Sequence, residues 1–189
     1  ESIEDYYKRI QRGEYKLTKS ENVKEPVIIN NQESVYLYKL HPYLLHKTQQ
    51  LFVPFPKMKE ALKSLEKEHY AFLYHSNHTG KYSAAIASLR KMGKTEVYEF
   101  SSEISLNELY RHPLKNNTGL ILETDQDLFK FGFAEHRFEQ FIRKLEEKNC
   151  KMVFISKTEP PIPVLPSTKI MVEPSTNVKE LVEKYVIHT

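Results

Sequence analysis

The residues with most chemical content stand in one short stretch, His75-Ser76-Asn77-His78-Thr79-Gly80-Lys81-Tyr82. An apolar run, Tyr70 to Tyr74, leads into it, and a small-residue segment, Ala84-Ala85-Ile86-Ala87, leads out. Strand, polar loop and helix in that order are the setting in which G-x-x-x-x-G-K-[ST] cradles nucleotide phosphates. That chemistry needs three things. Backbone N–H groups converge on phosphate oxygens, a lysine ammonium neutralises the outer phosphates, and a short hydroxyl ligates Mg²⁺. Gly80 and Lys81 stand where the pattern requires them, but its first glycine is His75 and its terminal hydroxyl is Tyr82.

The substitutions carry physical consequences. Glycines reach φ angles that a β-carbon disfavours, so the rings of His75 and His78 narrow or remodel the cradle. Tyr82 puts a phenol where a short aliphatic hydroxyl should sit. Ser83 comes one position late, rotated by about 100° around the helix. Lys81 still offers a point charge to a phosphate, and a helix N-terminus still favours anions. Against this stands the plainer reading that Gly-Lys opens many helices by chance. Farther along, Gly119-Leu120-Ile121-Leu122-Glu123 is an apolar strand ending in an acid. Ser156 and Lys157 close another apolar run, where they read equally as nucleotide sensors or as ordinary polar residues at a strand end.

Other constellations read more simply. His41, His46, His75 and His78 have metal-ligating side chains, but nothing forces three or four to converge as a metal site requires; they read as loop histidines. Cys150 begins a buried strand with no evident base, so it reads as a small core residue. Tyr36-Leu37-Tyr38-Lys39 suits base stacking, and a half-buried alternating strand explains it with fewer assumptions. Arg111 and Arg137 are arginine-finger candidates by charge alone.

These side chains need elements to position them. Ile3, Tyr6, Tyr7 and Ile10 have helical spacing, ended by Gly13. Pro26–Ile29 and Ser34–Leu40 predict a hairpin around Asn30-Asn31-Gln32-Glu33. Residues 1–50 thus read as an N-terminal appendage or the end of a preceding domain, and residues 51–189 as the main domain. Within the latter, an amphipathic stripe (Met58, Ala61, Leu62, Leu65) precedes the strand at 69–75. A helix over 83–92 stops at Gly93. Next come a strand over 95–101, a short helix around 106–110, a strand over 118–124 and a long helix carrying Ala134, Phe138, Phe141, Ile142 and Leu145. A buried strand over 151–156, a proline-rich loop at 160–166, a strand over 169–173 and a helix with Val178, Leu181, Val182, Tyr185 and Val186 complete the chain. Strands separated by helices of this length predict βαβ units and a parallel sheet. Ligands in such sheets sit beyond the carboxyl ends of the strands, which gathers 75–83, 123–125 and 156–158 on one rim.

Composition sets the bounds. The chain has 189 residues, 40% of them hydrophobic, which is globular composition with enough material for a full core. A net charge of +3 and a pI near 8.7 are mild for a nucleic-acid binder. A single cysteine excludes an internal disulfide and fits a reducing compartment. With neither an apolar run long enough to span a membrane nor a signal-peptide pattern, the expected location is cytoplasmic. The first residue is Glu rather than Met, which reads as a piece of a longer or processed protein.

Residues 52–158 resemble P-loop NTPases of the AAA-like and STAND (signal-transduction) type. Phe52-Val53-Pro54 and Ala61-Leu62 occupy the place of that family's lead-in to its first strand. His75 to Tyr82 occupies its phosphate loop, Gly119 to Glu123 its second motif, and Met152 to Ser156 its sensor strand. The resemblance implies a three-layer αβα fold around a mostly parallel five-stranded sheet of order 5-1-4-3-2. It makes Thr79, Gly80, Lys81, Ser83, Glu123, Asp125 and Ser156 the candidate nucleotide-binding residues, with ATP and Mg²⁺ as the implied cofactor and no assigned catalytic residue or metal ligand. The altered loop points to a regulatory or scaffolding module of a larger signalling or defence protein, partnered by other proteins or by itself. A divergent NTPase that binds ATP through Lys81 is the alternative, and a nucleic-acid-binding module is a weaker one.

Overall fold

The computed structural model describes residues 26–29, 32–76, 79–124, 133–160 and 165–173, with side chains from Tyr36 onward. The helix expected over 3–10, the helix expected over 178–186, and Asn77, His78 and Asp125 lie outside these residues. Seven strands are described: β1 (Pro26–Ile29), β2 (Gln32–Lys39), β3 (Tyr70–Tyr74), β4 (Val97–Phe100), β5 (Gly119–Glu123), β6 (Lys151–Ser156) and β7 (Lys169–Met171). They form one sheet in the order β1-β2-β4-β5-β6-β3-β7. The pairs β4–β5, β5–β6, β6–β3 and β3–β7 are parallel, whereas β1–β2 and β2–β4 are antiparallel. Counted from β3, the parallel strands read 5-1-4-3-2 from the β7 edge, the order that the resemblance implies. The sheet is wider than the five strands expected, because the hairpin joins it: Leu37, Tyr38 and Lys39 pair with Phe100, Glu99 and Tyr98.

Five helices among the described residues cover the two faces. Helices α1 (Pro42–Leu51), α2 (Met58–Glu68) and α3 (Lys81–Lys91) share a core with Ala71, Leu73, Ile121, Val153, Ile155 and Ile170. Helices α4 (Leu106–Arg111) and α5 (Glu135–Glu147) share the opposite core with Phe72, Phe100, Leu120, Leu122 and Phe154. Alternate residues of each central strand feed opposite layers, so those strands read as unbroken apolar runs, the pattern of a parallel sheet covered on both sides. Chain direction explains the layering. The chain passes from β3 outward to β4, then returns through β5 and β6. Right-handed crossovers in opposite directions along a sheet place their helices on opposite faces.

Local chemistry fixes the elements. Helix α2 buries Met58, Ala61 and Leu65 at helical spacing, and its buried Ser64 hydroxyl donates to the Tyr70 carbonyl at 2.6 Å, tying the helix to the start of β3. Helix α4 begins with a full capping box: Ser105 accepts from the Glu108 N–H, and the Glu108 carboxylate accepts from the Ser105 N–H. Small side chains in α3 let it lie close to the sheet. Gly119 marks that approach, since a β-carbon there would come within 3.1 Å of Leu89 Cδ1. On the other face Phe72 and Phe154, side by side in register, stack at 4.5 Å between centroids, and Phe138 packs against both.

Helix α1 escaped the sequence reading. Leu45 is its one buried residue, so almost no apolar stripe announces it. Its start is nonetheless conventional: Pro42 fills the first turn, and the His41 ring accepts from the Tyr43 N–H at 3.2 Å.

Candidate functional site

Parallel register brings the carboxyl ends of three strands together. Tyr74 pairs with Ser156 and Glu123 with Ile155. Just beyond the strands, the His75 N–H donates to the Ser156 carbonyl at 3.3 Å and the Thr124 N–H to the Ile155 carbonyl at 2.8 Å. The connections leaving the neighbouring strands β3 and β6 run in opposite directions along the sheet. Such a switch point opens a crevice at the carboxyl rim. Thr79, Gly80, Lys81, Ser83, Glu123 and Ser156 all belong to segments at this rim.

The loop delivers its residues as follows. Gly80 caps α3 from the left-handed region, at φ 77° and ψ 25°. No heavy atom lies within 4 Å of where a β-carbon would be, so the backbone angle and not crowding calls for glycine. Lys81 opens the helix and folds back, its Nζ donating to the His75 carbonyl at 2.8 Å. The ammonium therefore bridges the two ends of its own loop. Burial lowers its pKa from the ordinary lysine value; the charge of Glu123 opposes that effect and the charge of Lys157 adds to it. Lys81 is thus in electrostatic reach of both Glu123 and Lys157. The Thr79 residue is half-buried, and its buried hydroxyl oxygen has no hydrogen-bond partner among the described residues. Ser156 is buried and spends its hydroxyl on the Thr158 carbonyl at 2.6 Å. Ser83 is half-buried, and Glu123 is exposed at the end of β5.

Tyr82 decides what the loop can do. Its phenol does not stay at the rim; it donates to Glu99 Oε2 at 2.8 Å. Glu99 lies in the middle of β4 and is only 6% exposed. Burial first, then the charge and hydrogen bond of Glu99, push the Tyr82 pKa far above its ordinary value, so the phenol keeps its proton and remains a donor. Tyr82, which the resemblance would put at a Mg²⁺-ligating position, is in effect a strut between the first turn of α3 and the sheet.

The implied cofactor can be judged on this geometry. The orphaned Thr79 hydroxyl, the Lys81 ammonium and the left-handed Gly80 suit an anion. The Mg²⁺ position does not fit, because its side chain is a phenol held by a buried carboxylate. Glu99 was missed in the sequence, yet it left a signal: an acid inside the apolar run Val97-Tyr98-Glu99-Phe100 needs a buried donor. Arg111 and Arg137 lie in the layer opposite α3, between α4 and α5.

No protein-family model matches the chain, and no curated protein matches its sequence. Among solved structures, that of C. elegans PCH-2 is similar at a TM-score of 0.47 and 12% identity, over 83% of this chain. The chain spans 56% of the length of that neighbour. The architecture stands on the observed strand order. Among the described residues, no helix is long and apolar enough to cross a membrane.

Proposed function

We propose that this chain is a degenerate P-loop domain serving as a regulatory or scaffolding module of a larger signalling or defence protein, without efficient ATP hydrolysis. One observation carries the reading: the Tyr82 hydroxyl is committed to buried Glu99, 17 residues away in sequence. Phosphoryl transfer depends on positioning and charge stabilisation, with the metal ion fixed against the phosphates. A phenol anchored in the sheet removes the protein's usual hydroxyl ligand to that metal. The Lys81 ammonium donates to the His75 carbonyl, which ties part of its donor capacity to its own loop. What the scaffold retains is the switch-point rim and its loop, which suits a domain that transmits state rather than turns over substrate.

A second reading has its own support. The Thr79 hydroxyl and Lys81 ammonium favour metal-independent binding of a nucleotide phosphate at the same rim. One pair of measurements separates the readings: phosphate release from ATP with Mg²⁺, and calorimetric titration of ATP with and without Mg²⁺. The regulatory reading expects release no faster than in buffer. Turnover that disappears in Lys81→Ala overturns it.

A further inference from the structure

A groove of about 320 Å³ lies between α4 and α5, on the opposite face of the sheet from the loop. Helical spacing builds it. Asn107, Tyr110 and Arg111 are one face of α4, at i, i+3 and i+4, and Arg137, Gln140 and Lys144 are one face of α5, at i, i+3 and i+7. Three of its lining residues are cations and none is acidic. Glu108, the acid of α4, is held in the capping box with Ser105.

The fold accounts for part of this set. The Lys144 ammonium donates to the His112 carbonyl, and to that of Tyr110 at 3.4 Å, capping the end of α4. One Arg137 nitrogen donates to Asn107 Oδ1 at 2.6 Å, leaving the rest of its fork uncommitted among the described residues. Arg111 makes no hydrogen bond or ion pair among them. The Tyr110 phenol oxygen is buried and also lacks a partner there. Burial, opposed by the charge of Arg137, pushes its pKa up to about 12, so it keeps its proton and is a donor in search of an acceptor. The half-buried Tyr110 ring, backed by the buried Phe141 ring at 5.6 Å, gives the groove an apolar side.

We propose that this groove binds a small phosphate ester, with Arg111 and Arg137 holding the phosphoryl oxygens and the Tyr110 ring against the ester's organic part. Guanidinium forks match the paired oxygens of a phosphoryl group, and two forks beside a lysine favour a dianion over a single carboxylate. The volume lies at the small end of the range for ligand pockets, roughly 300–1,000 Å³, which suits a compact ester. The site is independent of the function proposed for the loop.

The test is calorimetric titration of the chain with inorganic phosphate, phenyl phosphate and benzoate at low salt, repeated with Arg111→Gln, Arg137→Gln and Lys81→Ala. Arg111 is exposed and makes no bond among the described residues, so its variant folds normally, as circular dichroism will register. The expected result is saturable phenyl phosphate binding, tighter than that of inorganic phosphate and weakened roughly tenfold by either arginine change. Lys81→Ala leaves it within about twofold, as additivity predicts for distant sites. No saturable binding, binding indifferent to Arg111→Gln, or tighter binding of benzoate overturns the proposal. Loss in Lys81→Ala alone assigns the phosphate to the loop and overturns it equally.

Discussion

Replacing Tyr82 by Phe removes one oxygen and keeps the ring, so it isolates the bond on which the reading of the loop depends. The phenol donates at 2.8 Å to a carboxylate that is 6% exposed. A hydrogen bond to a charged acceptor contributes about 1.5–3 kcal/mol, and burial places this one near the middle of that range, about 2 kcal/mol. For a chain of this length each kilocalorie moves the melting temperature by about 2–4 °C, so Tyr82→Phe should melt about 4–8 °C lower. Urea denaturation gives the energy directly. In a Glu99→Gln background the acceptor is neutral, and the same change should cost about 1 kcal/mol or less. A loss within about 0.5 kcal/mol of zero refutes the strut, because surface substitutions fall in that range. Equal losses in both backgrounds refute it too, by tracing the effect to packing.

Three further outcomes test the scaffold. Gly80→Ala should destabilise by about 1 kcal/mol from the left-handed φ alone, because the space around it is open; a larger loss in urea denaturation would place a steric role there. Phe72→Ala removes a ring stacked on Phe154 in the central layer and should cost about 3–5 kcal/mol by the same measurement. Hydrogen bonds from Lys115 and then Lys39 hold the Glu96 carboxyl at about 2, below its ordinary 4.5. Its stabilising contribution is therefore present above pH 4.5 and is lost as pH falls through about 2. With the two lysine side chains 51% and 46% exposed, screening limits it to about 1 kcal/mol. Glu96→Gln should be weaker than the unaltered chain at pH 6 and equal to it near pH 2.

Much of the architecture was legible because central strands of a parallel sheet carry unbroken apolar runs. Lys151–Ser156 is one, and its residues are buried throughout. Segments with one weakly apolar face gave less away, and α1, with Leu45 alone buried, gave almost nothing. The hairpin was visible as two strands, but alternation in Tyr36–Lys39 does not say which edge it joins. Pairing with β4 follows from the position of Leu37 beside Phe100, which only the folded sheet determines. At the site, the sequence exposed the anomaly at Tyr82 but not its partner, because the bond to Glu99 crosses from a helix to a strand three places along the sheet. The cationic groove was hidden for a similar reason: Arg111 and Arg137 belong to different helices, and charge alone suggested a role at the loop.

We propose that the loop after β3 is held in a nucleotide-type scaffold without efficient ATP hydrolysis. Phosphate release from ATP with Mg²⁺, measured on the unaltered chain beside Lys81→Ala, tests it most directly. The account predicts the same background rate for both. Magnesium-dependent turnover by the unaltered chain that vanishes in Lys81→Ala would contradict it.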